Sequence, residues 1–263
     1  MSERNHTFVI CAYKESPYLE ACIQSLQAQT VPSRILMVTS TPNPWIEKCS
    51  EKYGIPLEIN TGEKGITQDW NFAYHKAKTE FITIAHQDDV YLPGYTEQIL
   101  TRLKKAKKPL IAFTDYGELR EGKVELYNQL LKIKRLMLFP LRGKIFSGSR
   151  FVRRRILSMG CPICCPSVTF ARKNLPEKIF RAGFRSDEDW EAWERLSRER
   201  GDFVYVKEVL MYHRIHEGSE TTAILGDCAR SKEDYVMFCK FWPKAIAKIL
   251  VKVYAKSENS NQL

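Results

Sequence analysis

Between residues 7 and 85 short apolar runs alternate with amphipathic stretches, and this alternation limits the chain to few folds. Thr7–Ala12 (TFVICA), Arg34–Thr39 (RILMVT), Leu57–Ile59 and Phe81–Ala85 (FITIA) are short and rich in β-branched residues, as buried strands are. Between them, Pro17–Gln29 sets Leu19, Cys22, Ile23 and Leu26 at helical spacing. Trp45–Tyr53 forms a short helix ended by Gly54 and Pro56, and Gln68–Lys78 has an apolar side of Trp70, Phe72, Ala73 and Ala77. Strands joined by helices predict an α/β fold with a mixed, mainly parallel sheet flanked by helices. Ligands of such sheets bind beyond the carboxyl ends of the strands. Tyr13, Lys14 and Glu15, then Thr39 and Ser40, then His86, Gln87, Asp88 and Asp89 therefore become the first candidates.

The second half is less regular. Tyr95–Lys105 reads as a helix, Leu110–Thr114 and Ser167–Ala171 as strands, and Glu188–Arg200 as a helix ended by Gly201. Phe203–Val206 and Val209–Tyr212 read as two short extended pieces. No acid occurs between Glu125 and Glu177, while that window holds eleven Lys and Arg, so the net charge of +10 belongs to one segment. Its anionic partner would be nucleic acid, a phospholipid surface or a phosphorylated substrate. In Val236–Lys256, lysines recur every fourth residue from Lys240. That basic amphipathic helix is too charged to cross a bilayer; it either lies on an anionic membrane or packs on the domain. Without a signal peptide the eight cysteines should stay reduced in the cytoplasm. A zinc site at Cys161, Cys164 and Cys165 would need His213 and His216 as a second pair, and small core residues are the commoner role.

Three constellations carry chemistry. Asp88 and Asp89 directly follow a strand, where adjacent carboxylates suit Mg²⁺ or Mn²⁺ together with substrate phosphates, or else cap a turn. Ser186-Asp187-Glu188-Asp189 opens a helix. Acids there favour the helix dipole, but a carboxylate among carboxylates also holds a proton more tightly and suits a general base. Tyr212-His213-Arg214-Ile215-His216-Glu217-Gly218-Ser219 offers cations for a diphosphate, a metal ligand in His216, or a solvated strand end.

Taken in order, VICAYKESPYLEACIQSLQAQT, AHQDD, EDWEAWERL and YHRIHEGS resemble the glycosyltransferases of family 2 from about Thr7 to Ser219. The resemblance implies a GT-A fold over residues 1–219: a nucleotide-sugar half, 1–115, an acceptor half, 116–219, with the basic segment, and a C-terminal helical tail, 220–263. It implies inverting transfer from a nucleotide diphosphate sugar, UDP being commonest in the family. The acceptor would be a hydroxyl of a glycan or lipid-linked molecule in envelope polysaccharide or glycolipid synthesis. Asp189 would be the base, beside Glu188. Mn²⁺ or Mg²⁺ would sit on Asp88, with Asp89 and His216. Ala12, Tyr13, Glu15, Thr39, Asp69, Asn71, Gln87, Asp88, Arg214 and His216 would meet the donor. The sequence departs from the family at Thr39-Ser40-Thr41, where an acid reading uracil is common, at His86, where the first acid of the metal motif stands, and at Trp70, where an Arg is frequent. The expected location is cytoplasmic, with peripheral contact at the inner face of the membrane.

Two other readings compete. A nucleotidyltransferase would share sheet and metal, but AYKESPY lacks a Gly-rich phosphate loop. A non-enzymatic nucleic-acid or membrane binder would use the basic segment, which has few aromatics for stacking, so no nucleic acid is expected.

Overall fold

A computed structural model describes residues 5–216 and 229–259. The expected first strands form as β1 (His6–Cys11), β2 (Arg34–Thr39), β3 (Leu57–Ile59) and β4 (Phe81–His86). Helices α1 (Leu19–Gln27), α2 (Pro44–Tyr53) and α3 (Ile66–Lys76) connect them. Local chemistry sets the helix ends. Asn43 caps α2 by accepting from Ile46 N–H, Pro44 stands in its first turn, and Gly54 ends it at φ 61°.

Among the described residues nine strands make one sheet in the order β3-β2-β1-β4-β8-β6-β9-β5, with β7 (Lys123–Glu125) beside β6. The β3-β2-β1-β4 part is parallel. Strand β8 (Val168–Ala171) joins β4 to β6 (Pro109–Arg120), antiparallel to both. Strand β9 (Asp202–Ile215) runs parallel to β6, and β5 (Val90–Tyr91) pairs antiparallel with it, Val90 opposite Tyr212. That last pairing brings the acid pair after β4 to the end of β9.

Both faces of the central strands are buried. Val9, Val38, Ile82 and Ile84 point into one core cluster, and Phe8, Ile10, Met37 and Ala85 into the other. The alternation along the sequence is hydrophobic on both sides, as expected of a covered sheet.

Several second-half elements differ from expectation. The two short extended pieces are one strand, β9, with a bulge where Thr114 pairs Val206 and Asp115 pairs Val209. Its interrupting Lys207 and Glu208 hid the continuity. Strand β6 continues through polar Asp115–Arg120 because the inner face of this stretch is buried. Helix α8 (Glu188–Leu196) stops before Arg200. The basic segment folds into α5 (Gln129–Leu138), α6 (Lys144–Ser147) and α7 (Arg150–Leu157).

Several of its eleven cations have internal partners. Arg135 meets Asp115 at 2.6 Å, Arg154 meets Glu194 at 2.7 Å and Lys134 donates to Tyr116 Oη at 2.9 Å. Arg172 bonds the Ala77 carbonyl. Arg153 is buried, donating to the carbonyls of Ser197, Glu199 and Gly201 under the Phe203 ring.

The expected single tail helix is two, α9 (Ala229–Cys239) and α10 (Lys244–Asn259), because Pro243 cannot sit inside a helix. Met237, Phe238 and Ala247 belong to the main core, and Trp242 Nε1 donates to Ser158 O at 2.8 Å. The boundary expected at residues 219–220 lies outside the described residues. No helix of the described residues is long and apolar enough to cross a membrane.

Candidate active site

A cleft of about 1440 Å³ opens where β1, β2 and β4 end and α8 begins. Its sequence-expected lining includes Ala12, Tyr13, Glu15, Asp69, Gln87, Asp88, Glu188, Asp189 and His216. The loops after β1 and β4 are stitched together: Gln87 Oε1 accepts from Tyr13 N–H, and Gln87 Nε2 donates to Tyr13 O, both at 2.9 Å. Tyr13 is left half-exposed over the cleft. Asp69, on α3, accepts from Ser40 Oγ at 2.6 Å and Asn60 Nδ2 at 2.7 Å, which ties α3 to the ends of β2 and β3.

The acid pair splits its work. Asp89 is fully buried; its Oδ1 accepts from Arg214 N–H at 2.9 Å and lies 3.1 Å from His213 Nδ1, while its Oδ2 is buried without a hydrogen-bond partner. Asp88 faces the cleft, its Oδ2 3.0 Å from His216 Nε2. Arg214 Nε donates to the Asp88 carbonyl at 2.7 Å, and its guanidinium lies over the Tyr18 ring. The Asp88–His216 pair therefore presents one carboxylate and one imidazole to the cleft. Among the described residues no three His, Cys, Asp or Glu side chains converge as a closed metal cage. A two-donor site that leaves its other positions to diphosphate and water fits a hard divalent ion.

Helix α8 forms one wall of the cleft. Trp190, Trp193 and Leu196 anchor it in the core, and Trp190 Nε1 donates to Leu157 O at 3.1 Å. Its start projects Asp187, Glu188 and Asp189 into the cleft. Asp189 Oδ1 accepts from Trp190 N–H at 2.6 Å, and Cys161 Sγ lies 3.9 Å from Oδ2. Burial pushes the Asp189 carboxyl up to about 6, against that backbone hydrogen bond and the attraction of Lys134 and Arg230. Burial, then the charges of Asp234 and Asp189, raises Asp187 as well. Cys161, Cys164 and Cys165 line the same wall as free thiols that burial keeps protonated.

Three expected donor contacts do not line the cleft: Arg214, held on the Asp88 carbonyl and over Tyr18, and two buried residues. Thr39 is buried, its hydroxyl accepting from Thr41 N–H. Asn71 is buried and satisfied internally: it accepts from Ile179 and Phe180 N–H and donates to Thr67 and Phe180 carbonyls. Both read as fasteners of the walls. Glu217, Gly218 and Ser219 lie outside the described residues. Sequence reading missed Lys134, Tyr116, Arg230 and Tyr254, which line the cleft. It also missed Glu233, whose carboxylate accepts from the N–H groups of Arg185, Ser186 and Asp187 and from Ser186 Oγ.

The fold and the family can now be compared with known proteins. TarS of S. aureus (residues 1–349, with UDP-GlcNAc) superposes with a TM-score of 0.64 at 13% identity, covering 94% of this chain and 70% of that one. Mannosyltransferase PcManGT from Pyrobaculum calidifontis, in complex with GDP-Man and Mn²⁺, gives 0.60 at 13% identity over 97% and 70% of the two chains. Glucosyl-3-phosphoglycerate synthase from Mycobacterium tuberculosis, with Mn²⁺ and UDP-Glc, gives 0.58 at 13% identity over 89% and 78%. At this identity these structures establish the fold, which is the expected GT-A architecture. None of the curated proteins matches the chain. Residues 7–180 match the profile described as "Glycosyl transferase family 2", a span that covers β1 through β8 and both donor-side loops. The chain is a glycosyltransferase and belongs to glycosyl transferase family 2.

Proposed function

We propose that this enzyme transfers a sugar from a nucleoside diphosphate sugar to a hydroxyl of a glycan or lipid-linked acceptor, with inversion, in the synthesis of an envelope polysaccharide or glycolipid. One observation carries the reading: a carboxyl with a pKa of about 6 and the Asp88–His216 pair line one cleft. The solved neighbours, bound to UDP-GlcNAc, GDP-Man and UDP-Glc, support a nucleotide-sugar donor.

In this reading Asp88 and His216 hold Mn²⁺ or Mg²⁺, which when bound neutralises the diphosphate and so improves it as a leaving group. Asp89 holds His213 and the Arg214 backbone and so fixes the end of β9 beside Asp88. Tyr13, Glu15 and Gln87 border the space for the nucleoside. Asp189 accepts the proton of the acceptor hydroxyl as its oxygen bonds to the sugar's anomeric carbon. The carbon–oxygen bond to the diphosphate breaks on the opposite face, and the nucleoside diphosphate departs with that electron pair.

The test is product analysis with a panel of UDP- and GDP-sugars and Mn²⁺. Transfer releases a nucleoside diphosphate and is lost in Asp189→Asn while donor binding stays. Release of inorganic diphosphate from a nucleoside triphosphate and a sugar 1-phosphate, with no transfer from any nucleoside diphosphate sugar, would instead identify a nucleotidyltransferase and overturn the reading.

A further inference from the structure

Among the described residues, the six most exposed aliphatic and phenyl side chains fall in two segments, and cations stand among them. On the α5–α7 segment Leu136, Phe139, Ile145 and Phe151 are 61% to 86% exposed. On α10 Ile249 and Val253 are 64% and 63% exposed. Isolated apolar residues at a surface are ordinary; a joined set is not. The two groups are joined through Arg155, which lies over the rings of both Phe151 and Trp242. Trp242 in turn bonds Ser158 O and leads directly into α10, whose Tyr254 packs close against Gly160.

Arg142, Lys144, Arg150 and Arg155 are exposed on the first segment. Lys244, Lys248 and Lys252 are exposed at every fourth position of α10. No acid occurs in residues 126–176 or 243–256. Of the nearby acids, Glu194 is engaged by Arg154 and Arg198, and Asp202 by Ser147 Oγ and Lys108 N–H, while Glu199 is exposed.

We propose that this face docks on an anionic lipid bilayer. Leu136, Ile145, Phe151 and Ile249 enter between head groups, and the surrounding cations meet lipid phosphates. The charge selects this occupant over a second copy, because a symmetric pairing would press like charges together. The mainly aliphatic character selects it over nucleic acid, since Leu136, Ile145, Ile249 and Val253 offer no ring on which a base can stack. Leu130 and Lys134 of α5 and Tyr254 of α10 line the cleft, so the docked face lies next to it. The proposal stands on the surface alone and does not depend on which reaction the cleft performs.

The test is co-sedimentation of the full chain with phosphatidylcholine vesicles, with and without phosphatidylglycerol. Binding is expected only with phosphatidylglycerol and should weaken as salt is raised. The variant I145S/F151S/I249S should lose roughly tenfold or more in partitioning, and K144E/R150E/K248E should do the same. Both should keep the wild-type melting temperature. Absence of binding to phosphatidylglycerol at low salt would overturn the proposal. So would equal binding by the wild type and both variants. Concentration-dependent self-association in sedimentation velocity, removed by I145S/F151S/I249S without any vesicle binding, would assign the face to a second copy and also overturn it.

Discussion

His216 Nε2 lies 3.0 Å from Asp88 Oδ2, although 128 positions separate them in the chain. The contact exists because β5 pairs with β9 and brings the last residues of β9 beside the turn after β4. If the pair holds a divalent ion, then Mn²⁺ should raise the melting temperature further in the presence of a nucleoside diphosphate. At a ligand concentration of ~100 times Kd this amounts to about 2.7 kcal/mol. Asp88→Ala or His216→Ala should each remove the Mn²⁺-dependent part, as read in a thermal-shift titration. Retention of the full metal effect in both variants would rule out this site.

The Asp189 carboxyl, raised to about 6 by burial, fixes a pH profile. Only the carboxylate accepts a proton, so the turnover rate should rise as pH increases through about 6 and level off above it. Asp189→Asn should lower kcat by roughly 10²- to 10⁴-fold and leave a flat residual profile. Rate measurements from pH 5 to 8 on both proteins decide the matter, and an unchanged inflection in the variant would assign the titration to another group.

Glu233 accepts from three consecutive backbone N–H groups just ahead of α8. Alanine there leaves these donors without their charged acceptor and should cost about 1.5–3 kcal/mol in urea denaturation. Because the loop carries Asp187 and leads into Asp189, kcat should fall more than KM changes. Glu233→Gln keeps one acceptor oxygen and should restore part of both.

His6 is buried between Ser33 Oγ and Thr83 Oγ1, at 2.8 Å and 2.9 Å, and burial lowers its pKa to about 3. In the unfolded chain it titrates near 6.5. Between these values the unfolded state binds more protons, so stability falls as pH drops from 6.5 toward 3. From pH 7 to 5 this one residue should remove about 2 kcal/mol. His6→Gln can still bridge the two hydroxyls and should show a decrease smaller by that amount in paired urea titrations.

The parallel half of the sheet was legible because its strands and helices bury regular faces, and periodicity records burial. The loops at the ends of β1 and β4, which line the cleft, followed, since strand ends are fixed by the same pattern. What the pattern could not show was pairing at a distance. His86 and Trp70 stood out singly as departures from the family; the structure stacks them, rings 5.2 Å apart and 16° from parallel, so they are one feature. Lys134 was one cation among eleven until Tyr116 distinguished it. Arg153 looked equally solvated and is enclosed by carbonyls. Strand β9 was read as two pieces because a bulge shifts the alternation by which strands are recognised. Asn71 was expected to meet the donor, but its four bonds go to the protein's own backbone.

The packing of α9 and α10 under α8 sets an order on synthesis. Every cleft residue from Tyr13 to Asp88 leaves the ribosome long before Glu233 and Tyr254, which steady and border the start of α8. A growing chain halted before Ala229 also lacks Met237, Phe238 and Ala247 of the main core. The cleft can therefore reach its final shape only after α9 and α10 have been made and packed.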